Sequence, residues 1–169
     1  MTGLLAARRR LLALAALALV GGCATPRRVD ESLREAGRYW SGRLALQVPD
    51  EPQQSFSAAF ELRGSAREGE LSLFTPLGST AALLRWAPGQ ATLRSDGQPP
   101  REFPSLESLV REAVGADLPV AALFDWLVGI PTAVAGWQAD LSQRDQGRLR
   151  ARRLTPTPQA DLRVVLDPT

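Results

Sequence analysis

Few groups in this sequence could carry out a reaction. No histidine occurs in its 169 residues, which removes the usual general base, the commonest metal ligand and every Ser-His or Cys-His arrangement. Serine, aspartate and glutamate are scattered without the spacing of a nucleophile and its base. No glycine-rich loop is shaped to cradle phosphate. No catalytic residue, metal site or cofactor is therefore assigned. One reactive group remains, the thiol of Cys23, which as the sole cysteine has no partner for an internal disulfide. The fold must hold by burial alone.

The residues ahead of Cys23 say what its thiol is for. Arg8-Arg9-Arg10 is a basic cluster, and Leu11 to Val20 is an unbroken apolar run of ten residues. A helix needs about 20 residues to cross a bilayer core of roughly 30 Å, so residues 1–22 read as a signal peptide and not as a span. Val20-Gly21-Gly22-Cys23 resembles the lipobox of bacterial lipoproteins, whose small residues admit a dedicated peptidase once the thiol has received a diacylglyceryl group. The alternative is an ordinary secretory peptide with an incidental cysteine. Each buried methylene contributes about 0.8 kcal/mol, so three acyl chains on Cys23 would anchor the protein almost permanently. Ala24 stands where an aspartate usually signals retention in the inner membrane. The resemblance implies the inner leaflet of the outer membrane, facing the periplasm. Residues 23–36 are polar, include Pro26, and read as a tether.

Without Arg8, Arg9 and Arg10 the balance is 17 arginines against 18 acids, a net charge near −1. That is too balanced to suggest nucleic acid as a partner or an electrostatic footprint on anionic lipid.

Residues 37–169 are long enough for one domain with a sizeable core. Leu44, Leu46 and Val48 alternate with Arg43, Ala45 and Gln47. Phe56, Ala58, Phe60 and Leu62 face away from Ser57, Glu61 and Arg63. This period of two predicts half-buried strands, followed by others over Leu71–Phe74, Thr80–Trp86 and Ala91–Arg94. Four to six antiparallel strands in meander order account for this half. After Pro99-Pro100 the period changes. Ser105 is placed to cap a helix bearing Leu106, Leu109, Val110 and Val114, with Gly115 as its stop. A second helix is expected from about Pro119 to Val128. Its apolar residues cover more than one stripe, so it must be covered on most sides or itself cover something. Strands then return at Trp137–Leu141, Arg148–Leu154 and Leu162–Leu166. The order of sheet, two helices and sheet predicts an α+β fold, a curved antiparallel sheet with helices on its concave side.

One connection is unusual. In Thr75-Pro76-Leu77-Gly78, Pro76 presets a turn and Gly78 can take a positive φ. Leu77 nonetheless puts a large aliphatic group at a tip where polar residues normally face water. It either folds back to cap the core or points out toward something apolar. Trp40, Trp86, Trp126 and Trp137 can each be core or ligand wall. Phe56, Phe60 and Leu62 face inward in either case. The row of Arg148, Arg150 and Arg152 reads as a solvated strand face, with contact to a partner protein as the alternative.

Together these features resemble the LolB family of outer-membrane lipoprotein receptors. The resemblance rests on the lipobox, on Pro76-Leu77-Gly78-Ser79 between two strands, on Leu118-Pro119 leading to Trp126-Leu127-Val128-Gly129-Ile130-Pro131, and on Trp137 opening the final strands. It implies an open half-barrel with a helical lid over an apolar cavity for acyl chains, lined by Phe56, Phe60, Leu62, Trp86, Leu123, Trp126, Leu127 and Trp137. It implies lipoprotein clients handed over by the periplasmic carrier LolA and inserted into the outer membrane, with Pro76, Leu77 and Gly78 dipping into the leaflet. A monomer acting without chemistry is expected. The rival readings are a structural or assembly lipoprotein whose cavity is plugged by its own side chains, and a lipid hydrolase, disfavoured by the missing histidine.

Overall fold

A computed structural model describes residues 38–114 and 118–168. The leader, Cys23, the tether and the expected helix stop at Gly115 lie outside the described residues. The first six strands are β1 (Tyr39–Gln47), β2 (Phe56–Gly64), β3 (Gly69–Phe74), β4 (Thr80–Ala87), β5 (Gln90–Ser95) and β6 (Arg101–Phe103). Helices α1 (Leu106–Val114) and α2 (Val120–Leu127) follow, and then β7 (Trp137–Asp140), β8 (Arg148–Arg153) and β9 (Ala160–Leu166). Among the described residues, all nine strands form one antiparallel sheet in the order β6-β5-β4-β3-β2-β1-β9-β8-β7. The sheet is open, with β6 and β7 at its two ends. This is the predicted α+β arrangement, with six strands before the helices and three after them.

Local chemistry explains the punctuation. Ser105 caps α1 through its side-chain oxygen, which accepts from the Ser108 amide at 3.2 Å, while the Ser108 hydroxyl accepts from the Ser105 amide at the same distance. This reciprocal pair satisfies amides that a helix start leaves orphaned. Pro119 stands just outside α2, where its missing amide costs nothing. Gly129 follows the C-terminal residues of α2 at φ +86°. Gly69 lies opposite Trp86 in the β3–β4 register, and a Cβ there would come within 2.5 Å of the indole ring. It would also come within 2.3 Å of the Arg63 carbonyl, so only glycine lets the ring approach the strand this closely.

The alternation seen in the sequence sets the core. Leu46, Phe60, Leu62, Leu84, Trp86, Leu93, Leu149, Ala151, Leu162 and Val164 point inward and are buried. Trp126, Leu46, Leu109, Leu127 and Val48 are almost fully enclosed. Each such aliphatic side chain contributes roughly 1.5–3 kcal/mol. One inward position breaks the pattern. Arg153 is 4% exposed, and its guanidinium donates twice to the Pro158 carbonyl, at 2.7 and 3.0 Å, tying the β8–β9 connection to the strand.

Candidate functional site

The inner face of the sheet and the two helices enclose a hollow of about 420 Å³, within the range of small-molecule sites. Strands β1 to β5 and β9 supply the wall, through residues such as Leu44, Phe60, Leu73, Leu84 and Val164. Helix α1 contributes Leu106 and Val110, and α2 contributes Val120, Leu123, Phe124 and Leu127. The all-round apolar character of α2 is thereby explained. Val120, Ala122, Trp126 and Leu127 are buried, whereas Leu123 and Phe124 are half-buried against the hollow. Its one charge, Asp125, accepts from the Thr132 hydroxyl at 2.6 Å. Among the described residues no group of histidine, cysteine and acidic side chains could hold a metal ion.

Six of the eight residues expected around the cavity are brought together there: Phe56, Phe60, Leu62, Trp86, Leu123 and Leu127. Trp126 and Trp137 do not line it. A buried indole N–H needs an acceptor, and that of Trp126 finds the Thr132 carbonyl at 2.9 Å, on the segment leading to β7. Its ring meets Trp137 with centroids 6.3 Å apart. The two tryptophans therefore form a joint between α2 and β7. Trp86 stays at the hollow because its own N–H donates to the Ser65 carbonyl at 2.9 Å.

Several residues of the hollow escaped the sequence reading. Phe124 is the chief one, packed between Trp40 and Trp86 with centroids at 5.6 and 6.3 Å. Periodicity alone cannot separate it from its apolar neighbours on α2. Gln53, Gln54 and Ser55 also line the hollow, from a short 3-10 turn over Pro52–Gln54 that resembles any polar loop in sequence.

The β3–β4 turn is tightly made. The Thr75 amide donates to the Ser79 carbonyl at 2.8 Å, the Gly78 amide donates to the Thr75 carbonyl at 2.9 Å, and Gly78 takes φ +84°. Leu77 is 97% exposed, so it does not fold back over the core. Pro76 and Gly78 flank it at the tip.

Arg148, Arg150 and Arg152 lie on the exposed face of β8. Arg150 forms a bidentate pair with Asp161, which also accepts from Arg163 at 3.2 Å, and Arg152 donates to Gln138 at 3.0 Å. Among the described residues no helix is long and apolar enough to cross a membrane.

Residues 39–156 match the family described as "Outer membrane lipoprotein LolB". A protein of Cupriavidus pinatubonensis named outer-membrane lipoprotein LolB is 35% identical over 146 residues, covering 84% of this chain and 70% of its own. The protein of that name from Cupriavidus necator is 34% identical over 146 residues, covering 84% and 73%. The one from Bordetella petrii is 32% identical over 158 residues, covering 81% and 79%.

Proposed function

The chain belongs to the LolB family of outer-membrane lipoproteins, and from that premise we propose that it accepts lipoproteins by their acyl chains and inserts them into the outer membrane. The observation that carries this reading is the hollow, walled almost wholly by aliphatic and aromatic side chains beneath a helix that is greasy on most sides. A triacylated client carries several tens of methylenes, each worth about 0.8 kcal/mol on burial, so it cannot cross water unaided. Such a carrier needs a concave apolar surface and no covalent step. Transfer from a LolA-like periplasmic carrier runs without nucleotide if successive sites hold the lipid more tightly, since about 1.4 kcal/mol shifts the equilibrium tenfold.

Lipidation at Cys23 would fix the body to the inner leaflet of the outer membrane, with residues 23–36 as its tether. Leu77, presented by Pro76 and Gly78 and almost fully exposed, would dip into that leaflet and help release the client there. The experiment is displacement of a fluorescent fatty-acid probe, followed by uptake of client from a loaded carrier. A chain with Cys23→Ala, exported by a non-lipoprotein signal, should bind the probe and take up client, because the hollow lies in the folded body. Probe binding no stronger than to an ordinary globular protein would sink the reading in favour of a structural lipoprotein.

A further inference from the structure

The face of the sheet turned away from the hollow carries a second feature, beside the Leu77 turn. A concavity of about 380 Å³ is walled by Arg43, Ser57 and Phe74 on the sheet and by Thr75, Pro76 and Gly78 of the turn. Its lining has the opposite parity to that of the hollow, where Leu44, Phe60 and Leu73 point inward. The register sets Arg43 opposite Ala59 and Ala59 opposite Phe74, in one row across β1, β2 and β3. Leu77 stands three residues beyond Phe74. At about 3.3 Å per residue, it lies at most about 10 Å past that row along the strand direction.

Arg43 is a charge without a mate. It is exposed and makes no hydrogen bond or ion pair among the described residues. Its neighbours across the strands are Val165 and Ala59, neither of them charged. Nearby arginines are matched: Arg63 with Glu61 at 3.0 Å, and Arg163 with Asp161 at 3.2 Å. Glu61, the acid in the lining, stands two residues farther from the turn than Ala59 and is held by Arg63. On the turn side of Ala59 is Ser57, exposed, with a hydroxyl to donate. An unmatched guanidinium presents a fork of N–H donors that fits phosphate oxygens.

Leu77 says where a phosphate would come from. Apolar groups at an interface sit about 5–10 Å into the boundary between headgroups and acyl chains. With the leucine at that depth, the guanidinium one row back lies level with the headgroups. We propose that Arg43 binds the phosphate of a leaflet phospholipid, with Ser57 as a second donor, when the Leu77 turn enters the membrane. The inference rests on the reading that Leu77 dips into the leaflet. A single leucine leaves the body free to tilt, whereas two contacts at different depths restrict how the sheet stands on the membrane.

The test uses residues 23–169 carrying Cys23→Ala, so that binding reports the protein surface and not an acyl anchor. Sedimentation is measured with vesicles of phosphatidylethanolamine and phosphatidylglycerol, and with vesicles of digalactosyl diacylglycerol, which contain no phosphate. This parent protein should prefer the phospholipid about fivefold, the value of one arginine close to an anionic leaflet. Arg43→Gln should lower phospholipid binding to the galactolipid level, with an unfolding midpoint equal to the parent's. Arg67→Gln removes the same charge from the β2–β3 turn, at the opposite edge of the sheet, and should keep the preference. A parent protein without preference overturns the inference alone, even if the Arg43 variant fails to fold. So does an undiminished preference in Arg43→Gln, or an equal loss in both arginine variants, which would report net charge only. If Leu77→Glu binds both kinds of vesicle as the parent does, the leaflet reading of the turn falls, and this inference with it.

Discussion

Phe124 meets Trp40 edge-on, with ring centroids 5.6 Å apart and planes at 68°. On its other side lies Trp86, at 6.3 Å. One side chain of α2 is therefore held between two tryptophans of the sheet, in the offset geometry that aromatic quadrupoles favour. This contact seats the helix over the hollow.

Phe124→Ala should lower stability by about 2–3 kcal/mol, below the roughly 3–5 of a fully buried phenylalanine, since Phe124 is only half-buried. Thermal unfolding reads the loss. A melting temperature equal to wild type would show that the aromatic contact does not hold the helix.

Filling the hollow should separate binding from folding. Ala82 lines the cavity from β4 and is half-buried, so a ring placed there projects into open space. Ala82→Phe should weaken fatty-acid probe binding about tenfold, equivalent to roughly 1.4 kcal/mol, and leave the unfolding midpoint equal or higher. Unchanged probe affinity would mean that acyl chains bind elsewhere.

Leu77→Glu removes the apolar tip without touching the core, because the side chain is 97% exposed. Stability should change by less than about 0.5 kcal/mol. Uptake of client from a loaded carrier should stay nearly intact, while delivery into vesicles should stop. Delivery at the wild-type rate would exclude a membrane role for the turn.

Acid should weaken the β8–β9 pairing. Burial pushes the Asp161 carboxyl up, but hydrogen bonds from Arg150 and Arg163 outweigh it and leave the carboxyl below its ordinary range. A group depressed in the folded state stabilises above its unfolded value of about 4, and that contribution is lost as pH falls through the folded value. The urea midpoint should therefore drop between pH 7 and pH 3, and Asp161→Asn should show a smaller drop. Equal drops in both proteins would mean that the carboxylate contributes nothing to the pH dependence.

What the sequence alone determined is what depends on local periodicity and local turn chemistry. Alternation at Leu44–Leu46 and Phe56–Leu62 identified strands and their inner faces, because a side chain's face follows from its parity. Ser105 and the proline at 119 marked helix starts, since orphan amides and a missing amide are read within one turn. The absence of histidine leaves the sequence without any Ser-His or Cys-His arrangement. Tertiary packing decided the rest. Trp126 and Trp137 look like cavity lining in sequence, but an indole N–H goes where an acceptor stands, and the Thr132 carbonyl drew Trp126 toward β7. The inward Arg153 breaks the alternation, because the Pro158 carbonyl lies within its reach only once β8 and β9 pair. Whether a greasy inner face closes on itself or leaves a hollow depends on how far two helices stand off a curved sheet. That spacing is a sum of many contacts between residues distant in the chain, and no single stretch of sequence carries it.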